Sequence, residues 1–185
     1  MIHFTTNAEL RECQPPVMAC ERMSAREFER RVVAFAHAAR DVFQEVAMPV
    51  AHSFAPGIYM REIFMPAGSV VIGNLHLTEH FNTVLSGACH VLINGEAHDL
   101  SAGDTLISKA GARKMLLIYA DCRWQTWHAN PDDCRDIATL ESRIVDKTAG
   151  DHPDPELLAT FRALAPTFDT LKPKTTPQEL CHHSG

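Results

Sequence analysis

The chain has 185 residues, 45% of them apolar, with 23 acidic against 17 basic side chains and a formal net charge of −6. That length suits one domain with extensions around a real core, and the acidic balance excludes a general nucleic-acid surface, which needs clustered Lys and Arg. No apolar run approaches the ~18 residues of a membrane span, and the opening MIHFTTNAELRE lacks the basic start and apolar centre of a secretion signal, so a cytoplasmic protein is expected.

Residues 1–56 read as an N-terminal arm and helix. The first 22 residues, broken by Pro15-Pro16, are expected to be irregular. Ser24-Ala25-Arg26-Glu27 then has the form of a capping box. Phe28, Val32, Phe35, Ala36, Ala39 and Phe43 follow at three- and four-residue steps, the apolar stripe of an amphipathic helix that ends before Pro49 and covers a sheet.

Residues 57–131 change to short β-type runs with turn residues between them. Strands are expected near Ile58–Met65, Val70–Leu77, Asn82–Leu85, Ala88–Ile93, Ala97–Leu100, Thr105–Ser108, Lys114–Tyr119 and Arg123–His128. Asn94-Gly95 is a hairpin signal, because both residues tolerate positive φ. Gly87, Gly103 and Gly111 punctuate the other turns. Many short strands at close spacing predict an all-β sandwich or barrel. Residues 132–185 turn helical and then polar. Asp132-Asp133 would open a helix through Ile137, Leu140, Ile144 and Val145, and a second helix would span Pro155–Leu164 before an extended tail.

The six cysteines (Cys13, Cys20, Cys89, Cys122, Cys134 and Cys181) form no C-x-x-C pair and match no zinc knuckle or disulfide scaffold, so reduced packing or surface thiols are expected. His76 and His80 stand out. Four residues apart in a strand-like run, they would point to one face of a sheet. On the same parity Glu79 would face away, and His90 and His98 would pair across the Asn94-Gly95 hairpin.

The stretch from Gly73 to Lys114 resembles a cupin. That pattern has a glycine, two histidines one residue apart, a glutamate four residues on and a closing glycine, followed by a second half that ends in a histidine. His76 stands at the second histidine position, His80 at the glutamate, and Gly87 closes the first half. Gly103 and Gly111 are in place in the second half, but Lys109 replaces a proline, Lys114 replaces the last histidine, and Asn74 stands at the first histidine. More narrowly, GIYMREIFMPAGSVVIGNLHLTEHFNTVLSG with SKAGARK and WQTWHANPDD resembles uncharacterised small cupin-like proteins common in bacteriophage genomes. The resemblance implies a mainly β fold: a cupin-like jelly-roll β-barrel, flanked here by an N-terminal amphipathic helix and C-terminal helices. It implies no particular reaction.

In such a barrel Asn74, His76, Thr78 and His80 would face inward, with Lys114 beside them. A protonated lysine cannot ligate a metal, and two histidines fall short of the three or more protein ligands a site normally has. His128 is the expected third ligand, since Thr126 and His128 alternate onto one face of the last strand. Three imidazoles with open positions suit Zn, Fe, Mn or Ni. Lys114 or Glu62 would then exchange protons. Arg61, Asn74, Tyr59 and Lys114 would bind an anionic small molecule such as a carboxylate, sugar phosphate or nucleotide. Three readings stay open: a metal-dependent enzyme on a small polar or anionic molecule, a non-catalytic module that captures a small molecule (by the phage analogy, a host nucleotide signal), or a structural protein. A homo-oligomer, most simply a dimer, is expected in each.

Overall fold

The computed structural model describes the backbone of residues 2–5 and 23–168 and the side chains of residues 23–165. Most of the N-terminal arm, with Cys13 and Cys20, and the C-terminal tail, with Cys181 and the closing CHHSG, lie outside the described residues. In chain order the elements are β1 (Ile2–Thr5), α1 (Ala25–Ala39), β2 (Val50–Ala55), β3 (Gly57–Met65), β4 (Ser69–Ile72), β5 (Leu75–His76), β6 (His80–Ile93), β7 (Glu96–Ser101), β8 (Thr105–Ser108), β9 (Lys114–Asn130), α2 (Ile137–Ile144), β10 (Val145–Asp146) and α3 (Pro155–Phe168). The class is mainly β and antiparallel, with three helices among the described residues. No described helix is long and apolar enough to cross a membrane.

A long antiparallel ribbon of β6 and β9 organises the sheet. Its registers slip between Val84 and Ser86, Ser86 and Ala88, and Ala88 and Cys89, so the ribbon bends in the middle. Gly87 sits at that bend with φ +86°, and a Cβ there would come within 2.2 Å of the Asp121 carbonyl oxygen, so only glycine fits. On one side of the bend β9 pairs with β3, which carries β2, while β6 pairs with β8. On the other side β9 pairs with β4, which carries β1, while β6 pairs with β7. Ile63, Met65, Val84, Cys122 and Trp124 from the first half meet Val71, Cys89, Val91, Leu116 and Ile118 from the second in one buried cluster. The arrangement is a sandwich folded from one ribbon. Its described pairings leave the sheet open, so the closed barrel implied by the resemblance does not form.

β9 keeps a period of two along its length, with Lys114, Leu116, Ile118, Cys122, Trp124, Thr126, His128 and Asn130 all buried. The opposite parity, Met115 and Leu117, packs with Val70 and Ile72 under the Phe28–Val32–Ala36–Ala39 stripe of α1. Ser24 caps that helix by accepting from the Glu27 amide at 3.2 Å. The Glu27 carboxylate pairs instead with Arg30 and Arg31. α3 packs on α1 through the Phe35–Phe161 edge contact. The other outer face leaves Ile58, Phe81, Ile107 and Trp127 exposed.

Several strand boundaries differ from expectation. Residues 2–5 are a strand rather than irregular arm, and residues 50–55 form β2 within the segment assigned to arm and helix. Both are edge strands, which a half-buried periodicity marks poorly. Asn82–Leu85 and Ala88–Ile93 are one strand, as are Lys114–Tyr119 and Arg123–His128: the turn-like residues between them bend a strand without ending it. The hairpin at Asn94-Gly95 forms with φ +52° and +86°, and it pairs His90 with Asp99 rather than with His98. α2 starts later than Asp132-Asp133, at Ile137, with Asp136 as its N-cap. Asp133, at φ +51°, instead accepts from the Gly57 amide.

Candidate functional site

The bend brings both ends of the ribbon to one place. Lys114 opens β9 and His128 lies near its end; His80 opens β6, at the far end from the Ile93 that pairs with Lys114. His76 arrives from β5, held between the Ala112 carbonyl and β10. His76 and His80 therefore do not share a strand, as the spacing suggested. The chain leaves β5 at Leu77 and turns before β6, and the two side chains meet across that turn.

The three imidazoles form one compact cluster. Ring centroids lie 4.1 Å apart for His76–His80, 4.8 Å for His80–His128 and 5.6 Å for His76–His128. Each ring offers a nitrogen within 4.8 Å of the other two. His80 and His128 are each 3% exposed. The Nδ1 of His76 and both ring nitrogens of His128 are buried without a hydrogen-bond partner among the described residues. A buried polar atom is normally satisfied, so these atoms fit a cation or ligand of their own. His80 is oriented differently. Its Nδ1 lies 2.9 Å from the Thr78 carbonyl oxygen, which can only accept, so Nδ1 carries the proton and Nε2 keeps its lone pair.

Lys114 Nζ lies 2.9 Å from His80 Nε2 and 3.2 Å from Ser108 Oγ, and Asn82 Nδ2 donates to the same hydroxyl at 3.0 Å. Burial pushes the Lys114 amine down to about 7. Burial, then the Lys114 charge, holds the His76 imidazole far below its ordinary range and the His80 imidazole at about 4. His128 falls to about 3, through burial and then the His80 and Lys114 charges. All three rings are neutral at pH 7, the form that ligates metals.

A cavity of about 370 Å³ opens on this cluster, lined by Arg61, Asn74, His76, Thr126, His128, Glu141, Ile144, Val145 and Lys147. Arg61 projects inward from β3. No described residue forms an ion pair with its guanidinium, and burial lowers its pKa. α2 roofs the cavity, with Leu140 and Ile144 packed on Tyr59. Glu141 on the same helix is paired with Lys147 at 2.7 Å.

Of the residues singled out from sequence, His76, His80, His128, Arg61, Asn74 and Lys114 converge here, although Lys114 stands behind His80 and does not line the cavity. Two others do not converge as expected. Glu62 lies on the opposite face of β3 from Arg61, bound to Arg123 and Gln125 at 2.7 Å each, because neighbouring strand residues alternate faces. Tyr59 is fully buried, its hydroxyl 2.7 Å from His52 Nδ1 and its ring stacked behind His128. It backs a histidine and does not line the cavity. Glu79 faces out to Lys109, and Arg113 reaches Glu29 and the Gly73 carbonyl, so the basic residues of the second motif disperse. Sequence reading missed Glu141, Lys147, Ser108 and Asn82. Asn82, two residues beyond His80 on one strand, had a usable parity signal, whereas Glu141 and Lys147 reach the cavity only through tertiary packing.

No protein-family model matches the chain, and no curated protein matches it. Similar solved structures include KdgF from Halomonas sp., at 18% identity over 49% of this chain and 87% of that one, with a TM-score of 0.40. An RmlC-like cupin from Shewanella frigidimarina matches at 14% identity over 48% and 78%, with a TM-score of 0.39. A cupin superfamily protein from Desulfitobacterium hafniense matches at 12% identity over 50% and 85%, with a TM-score of 0.41. Two of these three are named as cupins, each is similar in outline to about half of this chain, and none of them bears on what the histidine cluster does.

Proposed function

We propose that this protein holds a divalent metal ion on His76, His80 and His128 and acts on a small anionic molecule that enters the cavity under α2. The observation that carries this reading is the set of three neutral imidazoles, two buried and one half-buried, whose nitrogens lie within 4.8 Å of one another, three of those nitrogens without a hydrogen-bond partner among the described residues. Zn, Fe, Mn and Ni all suit such a set. When bound, the ion would polarise a substrate oxygen or acidify a water.

The chain's own residues do the rest. Thr78 fixes the His80 tautomer so that its free lone pair is Nε2. Arg61, with no ion-pair partner among the described residues, takes the anionic end of the ligand, where a planar guanidinium matches a carboxylate or phosphate. Asn74 and Thr126 flank it. Glu141 replaces Glu62 as the carboxylate in reach of the cavity and is the group that would exchange a proton with a bound ligand.

Purification without chelator followed by elemental analysis, and titration with Co²⁺, test the centre. About one ion per chain is expected. Losing an outer-shell residue alone costs about 10–100-fold in metal affinity, so His76→Ala and His128→Ala should each weaken binding by about 100-fold or more. An ion-free protein, with the same affinity in wild type and variants, would reject the reading. A second reading is a metal-free module for anion capture, favoured by the Lys114 amine beside the histidines and by Arg61, which forms no ion pair among the described residues. A captured nucleotide signal would be one such ligand. A large thermal shift of metal-free protein with carboxylates, sugar phosphates or cyclic nucleotides, without turnover, would favour this second reading.

A further inference from the structure

We infer that Lys114 is an internal competitor for the metal: its amino group occupies the one lone pair that His80 offers, and an ion gains the third imidazole only when that amine moves aside. The inference rests on the metal reading above and adds to it a residue that sets the affinity of the centre.

His80 has two ring nitrogens and one is already committed. Nδ1 donates to the Thr78 carbonyl at 2.9 Å, which leaves Nε2 as the only possible ligand atom. Lys114 Nζ sits 2.9 Å from that atom, a hydrogen-bond distance that uses the lone pair a metal would need. His76 Nδ1 and both His128 nitrogens carry no such partner. The three ligands are therefore unequal: two are open and one is blocked. Two imidazoles hold a divalent ion weakly, so His76 and His128 would receive the ion first and His80 would complete the set.

The surroundings suit a lysine that shifts without leaving. Its backbone is pinned, with the Lys114 carbonyl accepting from the Gly73 amide at 2.9 Å. The residue is only 5% exposed, so the amine is largely withdrawn from bulk water. Ser108 Oγ, at 3.2 Å and steadied by Asn82, offers a second acceptor that keeps the amine bonded after it leaves His80. A buried amine must keep a partner, and Ser108 provides one. The same placement opposes a second cation through like charge. Lys114 is thus a positioning residue: it touches neither the cavity nor a ligand within it, and acts only through His80.

The test compares Zn²⁺ affinity, by competition with a chromophoric chelator, in wild type and in Lys114→Met and Lys114→Ala, with circular dichroism as the check on folding. Breaking a hydrogen bond is worth about 0.5–1.5 kcal/mol, so the variants should bind Zn²⁺ about threefold to tenfold tighter. Equal affinity in wild type and both variants would overturn the role of Lys114 and leave the metal centre standing. No binding by any of the three would overturn both. A crystal structure of Zn²⁺-soaked wild type needs no variant at all. Zn²⁺ on all three histidines, with Lys114 withdrawn from His80 toward Ser108, is expected. Zn²⁺ on all three histidines with Lys114 Nζ still in its place against His80 would overturn the proposal.

Discussion

At the residue scale the chemistry of the cluster follows from burial more than from any pairwise contact. Neutral imidazoles stack at 4.1 Å without penalty, whereas two imidazoliums at that distance repel. In the folded chain His80 is held at about 4 and His128 at about 3, against 6.5 for an ordinary histidine. Between those values the unfolded state binds more protons than the folded one, so stability rises with pH and is lost as pH falls below 6.5. Lys114, at about 7 folded against 10.5, has the same sign in a higher window, so stability rises further from pH 7 toward 10. Urea unfolding of chelator-treated protein should therefore give midpoints that increase from pH 4.5 through 7 to 9. A midpoint that is flat below pH 6.5 would show these rings to be solvated.

At the element scale the bend in the β6–β9 ribbon positions the site. It folds Lys114 back over His80 and His128, and it depends on a backbone that approaches Gly87 too closely for a side chain. Gly87→Ala should cost ~1–3 kcal/mol through the positive φ alone, with the clash against Asp121 added to that. Chemical denaturation measures the loss. Because the bend sets the convergence, the variant should also lose Zn²⁺ affinity, although it lies far along the ribbon from every ligand. The same bend misled the reading of strand boundaries. Gly87 and the residues near Asp121 look like turns, but they are bulged residues inside two continuous strands.

At the scale of the whole molecule, the histidines come from three elements and the cavity roof from a fourth, so a bound ion would tie β5 to the β6–β9 ribbon. A ligand that binds only the folded state at 100 times its dissociation constant adds about 2.7 kcal/mol. Zn²⁺ should therefore raise Tm by several degrees in scanning calorimetry and a chelator should reverse the gain, with His128→Ala abolishing both effects. The alternation along β9, the α1 stripe and the Asn94-Gly95 hairpin were all legible in the chain, because local periodicity and turn chemistry are properties of neighbouring residues. His76, His80 and His128 were also singled out together, although His76 and His80 meet across a turn and not by parity along one strand. Glu62 was misjudged by one step of that parity, and Tyr59 is packed behind His128. What lay outside local pattern was decided by the folded sandwich: which half of the ribbon faces which, that Lys114 lands on the His80 lone pair, and that Glu141 of α2 reaches the cavity. Lys114 and His80 are 34 positions apart and Glu141 comes from a separate helix, so only the bend and the packing of the elements bring them together.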